Sequence, residues 1–291
     1  MQPSPRTLKL ISTARHEEVA PGFMIKRPIP IHGVGFFDPF LLLDHMGPKD
    51  LKAKESSFVP DHPHRGFQPI TLLFDGEAEH QDSLGNQETL HAGDVQWITA
   101  GSGLIHSEKF GNNTNDIMPF HAVQLWINLP ANEKMNNPDY HFIPGAEIPK
   151  LDKEGHTIRL IAGYLDGQSG AHTAKSPILL CHVSLSNTTS LSIPIPENDN
   201  CGIYVLKGEA SLPNDKAISQ YQLAVTEKDG THIEVSTPGA CELLILSGTP
   251  LDEPIANYGP FVMNTDQEIQ EAISDFQSGK MGQIKPSSAS S

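Results

Sequence analysis

Four side chains with metal-ligand chemistry recur at strand spacing: His62 and His64, then His106 and Glu108. Residues at i and i+2 of an extended segment point to the same side, so each pair can converge on one point. Three neutral imidazoles and one carboxylate are enough to hold a borderline first-row divalent metal. If that metal prefers six ligands, two positions stay open, one for a substrate and one for O₂ or water. The set extends the two-histidine-one-carboxylate logic of non-haem Fe(II) oxygenases by one histidine. Four protein ligands also suffice for a closed tetrahedral zinc site. Such sites favour cysteine, however, and Cys181, Cys201 and Cys241 all lie elsewhere in the chain. Spacing alone leaves a third option, in which both pairs fall by chance on a solvated β face.

The chain has 14 histidines, so an isolated one carries little weight. His32, His80, His91, His141, His156 and His172 lack a ligand-like companion and read as surface or structural. His45 and His121 sit in apolar surroundings and read as core histidines. Gly101-Ser102-Gly103 lets the backbone turn tightly before His106, but its spacing is not that of a nucleophile elbow. No dinucleotide fingerprint or phosphate loop is present. Cys181 and His182 are strand neighbours that face opposite ways, which argues against a catalytic dyad.

Positioning such a site requires strands. Composition supports them: 24 Gly and 24 Pro in 291 residues imply many short elements and an all-β fold. Turn signals at Asp75-Gly76, Gly85, Gly93-Asp94 and Gly101 recur roughly every 8 to 12 residues, the spacing of an antiparallel barrel or jelly roll. Strands are expected over 67–74, 94–99 and 122–127, with Asp75-Gly76 as a hairpin turn. Pro69 suggests an edge position or a bulge. Residues 7–28 read as strands broken at Pro21-Gly22.

The Asn- and Pro-rich stretch 130–149 predicts a boundary, dividing the chain into domains 1–137 and 138–291. The second half echoes the first. Ile203 to Glu209 repeats Ile70 to Glu77, which points to a divergent duplication. Asp229-Gly230 gives another hairpin signal, and 241–246 another buried strand. Aligning Gly208 with Gly76 puts Pro194, Pro196, Pro238 and Ala240 at the ligand positions, so the metal is expected in the first half alone. His232 and Glu234 repeat the second pair without a histidine pair before them.

Thr265 and Glu268 form a capping box. Ile269, Ala272, Ile273 and Phe276 make the stripe of an amphipathic helix, and Gly279 suits its C′ position. The polar tail, Pro286 to Ser291, is expected to fray.

The formal net charge is −15, and no basic cluster offsets it, which excludes direct nucleic-acid binding. Three cysteines without metal or redox spacing fit a reducing cytoplasmic compartment. The N-terminus lacks the apolar core of a secretory signal. No apolar run is long enough to cross a membrane. A monomer is the default.

These stretches resemble the pirin family of the cupin superfamily. The resemblance is carried by residues 37–45, His62-Pro63-His64-Arg65-Gly66-Phe67, Asp82 to Asn86, Gly93 to Trp97, and Thr99 to Glu108. It continues through Gln124-Leu125-Trp126 and Gly259 to Thr265. It implies two cupin barrels with a short C-terminal helix and one metal, in the N-terminal barrel, on His62, His64, His106 and Glu108. Iron(II) is the usual metal of such proteins; Cu, Ni, Mn, Co or Zn are alternatives. Bacterial members imply dioxygenase cleavage of flavonols such as quercetin, with O₂ as co-substrate. Glu108 would be the catalytic base, and Phe36, Phe67 and Trp97 candidates for an apolar wall. The eukaryotic member and other bacterial members imply an alternative, a non-enzymatic iron-dependent redox-sensing regulator that binds transcription-factor or metabolic-enzyme partners respectively. A bicupin without metal is the third reading. Gln68-Pro69 and Gln81 depart from the family, where Glu-Thr or Glu-Ile and Arg are common. That puts the substrate in question more than the metal.

Overall fold

The computed structural model describes residues 4–20, 22–111, 115–186 and 189–285. Pro21 and the tail from Pro286 to Ser291 lie outside the described residues. The protein is all-β, two jelly-roll barrels of the cupin type, with one short helix near the C-terminus. No helix among the described residues is long and apolar enough to cross a membrane.

The barrel that carries the histidine pairs has two sheets. One runs in the order Ser56–His64, Leu104–Gly111, Glu77–Asp82, Gln87–His91. The other runs Asp139–Ile143, Val95–Thr99, Phe67–Asp75, Met118–Asn128, Phe40–Leu51, Phe23–Ile29, Arg15–Ala20. Side chains alternate along these strands, so the barrel interior is built in layers two residues apart. The deepest layer is apolar and includes Leu73, Phe110 and Ala122. One step along the same strands lie Thr71, Glu108 and Gln124. A further step brings His106 and Trp126.

Asp75-Gly76 is not a hairpin. The strand before it pairs with Val95–Thr99 and Met118–Asn128, whereas Glu77–Asp82 pairs with Leu104–Gly111 and Gln87–His91. The chain switches sheets here, at a barrel corner, and Gly76 adopts φ +92° to do so. Gly208 makes the same corner in the second barrel at φ +82°, between Asn200–Lys207 and Glu209–Leu212. Asp229-Gly230 likewise links strands of different sheets. Turn chemistry located these corners, but local sequence cannot tell a hairpin from a corner. Pro69 sits on an interior strand rather than an edge. It is tolerated because the ladder to Val95–Thr99 covers Ile70 to Leu72 and stops short of it.

Two compact units divide the chain: Met1–His16, Lys26–Pro39 and Ala146–Leu251 form one; Glu17–Ile25, Phe40–Gly145 and Asp252–Ser291 the other. This differs from a single cut after 137 in three ways. Asp139–Ile143 joins the first barrel by pairing with Val95–Thr99. Leu8–Thr13 pairs with Gln222–Thr226 of the second barrel. The helix Asp266–Gln277 groups with the first barrel, where Ile269 and Ala272 pack with Ile105, Phe261, Met263 and Met281. Pairing over long sequence separations overrides chain order.

The interior of the second barrel is continuously apolar, with Leu191, Ile193, Ile203, Ile233, Val235 and Ile245 packed around the three cysteines. Burial pushes the Cys201 thiol up to about 12 and that of Cys241 to about 11, so these are inert core thiols. His232 and Glu234 alternate with buried Ile233 and Val235 and therefore point outward, paired with each other at 3.1 Å.

The helix begins as expected. Thr265 Oγ1 accepts from the Glu268 amide at 3.2 Å, and Glu268 Oε2 accepts from the Thr265 amide at 2.8 Å. Thr265→Ala should cost about 1 kcal/mol, read as a lower urea midpoint, whereas Thr265→Ser should stay close to the parent.

Candidate metal centre

His62 and His106 face each other across the ladder between Ser56–His64 and Leu104–Gly111. Between His106 and Glu108 the register shifts: Glu108 pairs with Val59, so three residues of Leu104–Gly111 face four of Ser56–His64, which carries the extra residue. Bulges of this kind re-aim side chains beside functional sites. The result is a cluster of three imidazoles, His62, His64 and His106, whose ligand atoms lie within 4.8 Å of one another. Ring centroids are 4.3 Å apart for His62–His106, 4.7 Å for His62–His64 and 4.8 Å for His64–His106.

His64 and His106 are buried, while His62 is half-buried. His62 Nδ1 lies 2.8 Å from the Pro60 carbonyl, which orients its Nε2 towards His64 Nε2 at 3.1 Å. Both ring nitrogens of His106 are buried without a hydrogen-bond partner, and His64 has the Pro260 carbonyl beside it. Burial, and then the neighbouring imidazoles, hold the pKa of His106 well below its ordinary value; burial and His62 do the same for His64. Both rings are therefore neutral at pH 7, the state in which imidazole binds metal.

Glu108 is not in this cluster. Its carboxylate is held in the layer beneath, where Oε1 accepts from Gln96 Nε2 at 3.0 Å and Oε2 from Gln124 Nε2 at 3.0 Å. Thr71 Oγ1 approaches Oε1 at 3.4 Å. Gln124 in turn accepts from the Trp126 indole at 3.2 Å, and Tyr140 OH approaches Gln96 Oε1 at 3.5 Å. Glu108 thus sits beside the imidazoles within a polar belt.

Several of these residues escaped sequence reasoning. His80 is buried, 5.5 Å from the His106 ring; it pairs with Asp82 at 3.1 Å and stacks on Tyr140 at 4.5 Å. The spacing His80-x-Asp82, an i, i+2 pair like the others, was the available signal. Of the proposed wall, Phe67 is in place, 5.0 Å from the His64 ring. Its partner is Trp126, stacked on it at 4.3 Å and 5.2 Å from His64. Trp97 follows Gln96, which points inward, so it faces the opposite way. Phe36 belongs to the other compact unit. Gln68 bonds Thr99 at 2.9 Å and Gln81 bonds Ser107 at 3.0 Å, from different sheets. Pro69 is the departure nearest the site, opposite Trp126 in register.

The turns that aim the ligands are clasped by the C-terminal segment. Arg65 pairs with Phe261 in a parallel bridge, with Val262 N donating to Arg65 O at 3.1 Å. Gly66 takes φ +88°, and a Cβ there would collide with the Val262 carbonyl. Buried Lys134 donates to Gly66 O, Asn128 Oδ1 and Val262 O at 2.7, 2.6 and 3.0 Å. Desolvation lowers its pKa to about 8. Ser83 Oγ donates to Met281 O at 2.9 Å and accepts from Ile105 N at 3.0 Å, which holds the entry to the His106 strand. Arg65 donates to Ser102 O at 2.7 Å and to Asp275 Oδ2 at 2.9 Å.

Comparison with known proteins agrees with this architecture. Residues 22–127 match the pirin domain and residues 180–282 the pirin C-terminal cupin domain. A Pseudomonas aeruginosa protein provisionally named a quercetin 2,3-dioxygenase is 37% identical over 284 residues, covering 94% of this chain and 98% of its own. Pirin of Rattus norvegicus is 36% identical over 281 residues, covering 95% and 93%. The crystal structure of a quercetin 2,3-dioxygenase from Acinetobacter baumannii superposes with a TM-score of 0.91 at 34% identity, covering 97% of this chain and all of that one. The chain belongs to the pirin family.

The clasp has a pH signature. Lys280, at 2.6 Å, and then Arg65 hold the Asp275 carboxyl below its ordinary value. Its stabilisation is therefore complete above the unfolded carboxylate value and lost as pH falls through the lower folded one. Asp275→Asn should lower the urea midpoint at pH 7, and the gap to the parent should close as pH drops below about 4. A gap that stays constant through that range would contradict the assignment.

Proposed function

We propose that the first barrel binds one divalent metal, iron(II) foremost, on His62, His64 and His106 with Glu108, and uses it to cleave a flavonol-like substrate with O₂. The observation that carries this reading is the cluster of buried imidazole nitrogens without partners. A buried polar atom left unpaired costs roughly 1–3 kcal/mol, and a cation among the three rings would take one nitrogen from each, including one of the two unpaired on His106. The donor set fits: neutral nitrogens and a carboxylate suit a borderline metal, and the thiols that a structural zinc site favours lie in the other barrel. Relatives named for quercetin 2,3-dioxygenase support the choice of reaction.

When bound, such a metal supplies Lewis acidity that lets an acidic hydroxyl ionise near neutral pH. Glu108 takes that proton on a carboxylate oxygen, acting as general base. Gln96 and Gln124 hold the carboxylate ready on the inner side of the histidines. Phe67 and half-buried Trp126 present stacked rings beside His64, a surface suited to a flat aromatic substrate.

The test is aerobic loss of quercetin absorbance with iron-loaded protein. Chelation should abolish turnover. His64→Ala and Glu108→Ala should each lower it by a factor of 10² or more, the order expected for losing a ligand or a general base. Wild-type rates in both variants would refute the reading. A metal-loaded protein that leaves quercetin intact would transfer the case to the metal-dependent regulator.

A further inference from the structure

The hydrogen bonds around Glu108 assign its two oxygens different tasks. The inference rests on the metal-binding reading above. The Trp126 indole is a donor with no acceptor capacity. Its bond at 3.2 Å therefore fixes the Gln124 carbonyl towards Trp126 and the Gln124 amide towards Glu108. Gln96 is fixed in the same sense, with its amide on Glu108 Oε1 and its carbonyl facing Tyr140 OH. Gln124 cannot turn over without breaking two contacts, and Gln96 cannot without losing its bond to the acceptor-only carboxylate.

A carboxylate oxygen offers two acceptor positions. On Oε1 both are taken, by Gln96 at 3.0 Å and by Thr71 at 3.4 Å. On Oε2 one is taken, by Gln124 at 3.0 Å. We propose that Gln96 and Gln124 are positioning residues that make Glu108 a one-oxygen group. Oε1 is committed to the barrel wall, and Oε2 alone keeps an acceptor position for the metal or a substrate proton. Glu108 would then offer a bound metal one oxygen, Oε2. Gln124 shares that oxygen and sets how firmly it is held.

Cobalt(II) is the probe, because its visible ligand-field band reports ligand number and geometry without turnover. Gln124→Leu and Gln96→Leu are each made in the parent and in a Glu108→Gln background, and cobalt stoichiometry, affinity and spectrum are measured. With Glu108 present, each substitution should weaken cobalt binding about 10–100-fold and shift the band. In the Glu108→Gln background, the same substitutions should change affinity by no more than about twofold and leave the band in place. Equal effects in both backgrounds, or none in either, would overturn the proposal. Gln124 is half-buried, so its variant carries the test even where Gln96→Leu does not fold. A parent protein that binds no cobalt sinks the metal reading itself, an outcome separate from failure of the two glutamines.

Discussion

The rest of the site depends on one constraint: imidazoles packed against each other with nitrogens buried and unpaired. His106 alone carries two such atoms. Desolvation and mutual repulsion hold it and His64 neutral, which removes protonation as a way of satisfying the cluster at pH 7. Water or a cation remain as partners. The converging geometry and the neutral state favour the cation.

The fold maintains this arrangement against its own cost. Alternation along antiparallel strands stacks an apolar floor, a polar belt and a histidine layer within one barrel. His106 and Glu108, two residues apart on a strand that pairs regularly with Glu77–Asp82, set the step between the upper two. The C-terminal segment then fixes the turns from which the ligands depart, through Arg65, Gly66 and Ser83. Its attachment to the first barrel explains why residues so late in the chain read as part of the same family pattern. The second barrel keeps the topology and fills its interior with Ile, Leu, Val and Cys.

Much of this was legible in the sequence. Strand spacing gave the three histidines, and turn residues gave the barrel class. Thr265 and Glu268 gave the helix start, because capping is local chemistry. What was not legible depends on pairing across the chain. Asp75-Gly76 read as a hairpin because a glycine corner and a glycine hairpin share residues. The helix falls within 138–291 yet groups with the first barrel, and nothing in its stripe names that partner. Gln96, Gln124 and Trp126 lie in stretches that carry the family resemblance, but no spacing ties them to Glu108; only the inward faces of their strands bring them together around it. Trp97, a candidate for the site wall, faces away from the interior; parity cannot be set before register is known. His80 was discounted as isolated, although its spacing to Asp82 matched the pattern used for the ligands.

The central claim is that the three buried imidazoles are metal ligands. X-ray absorption on protein purified without chelator, paired with elemental analysis, addresses it directly. The account predicts one divalent metal per chain, with a first shell whose multiple-scattering pattern fits three imidazoles and one further oxygen donor. A chain without stoichiometric metal, or a metal whose shell lacks imidazole scattering, would contradict it.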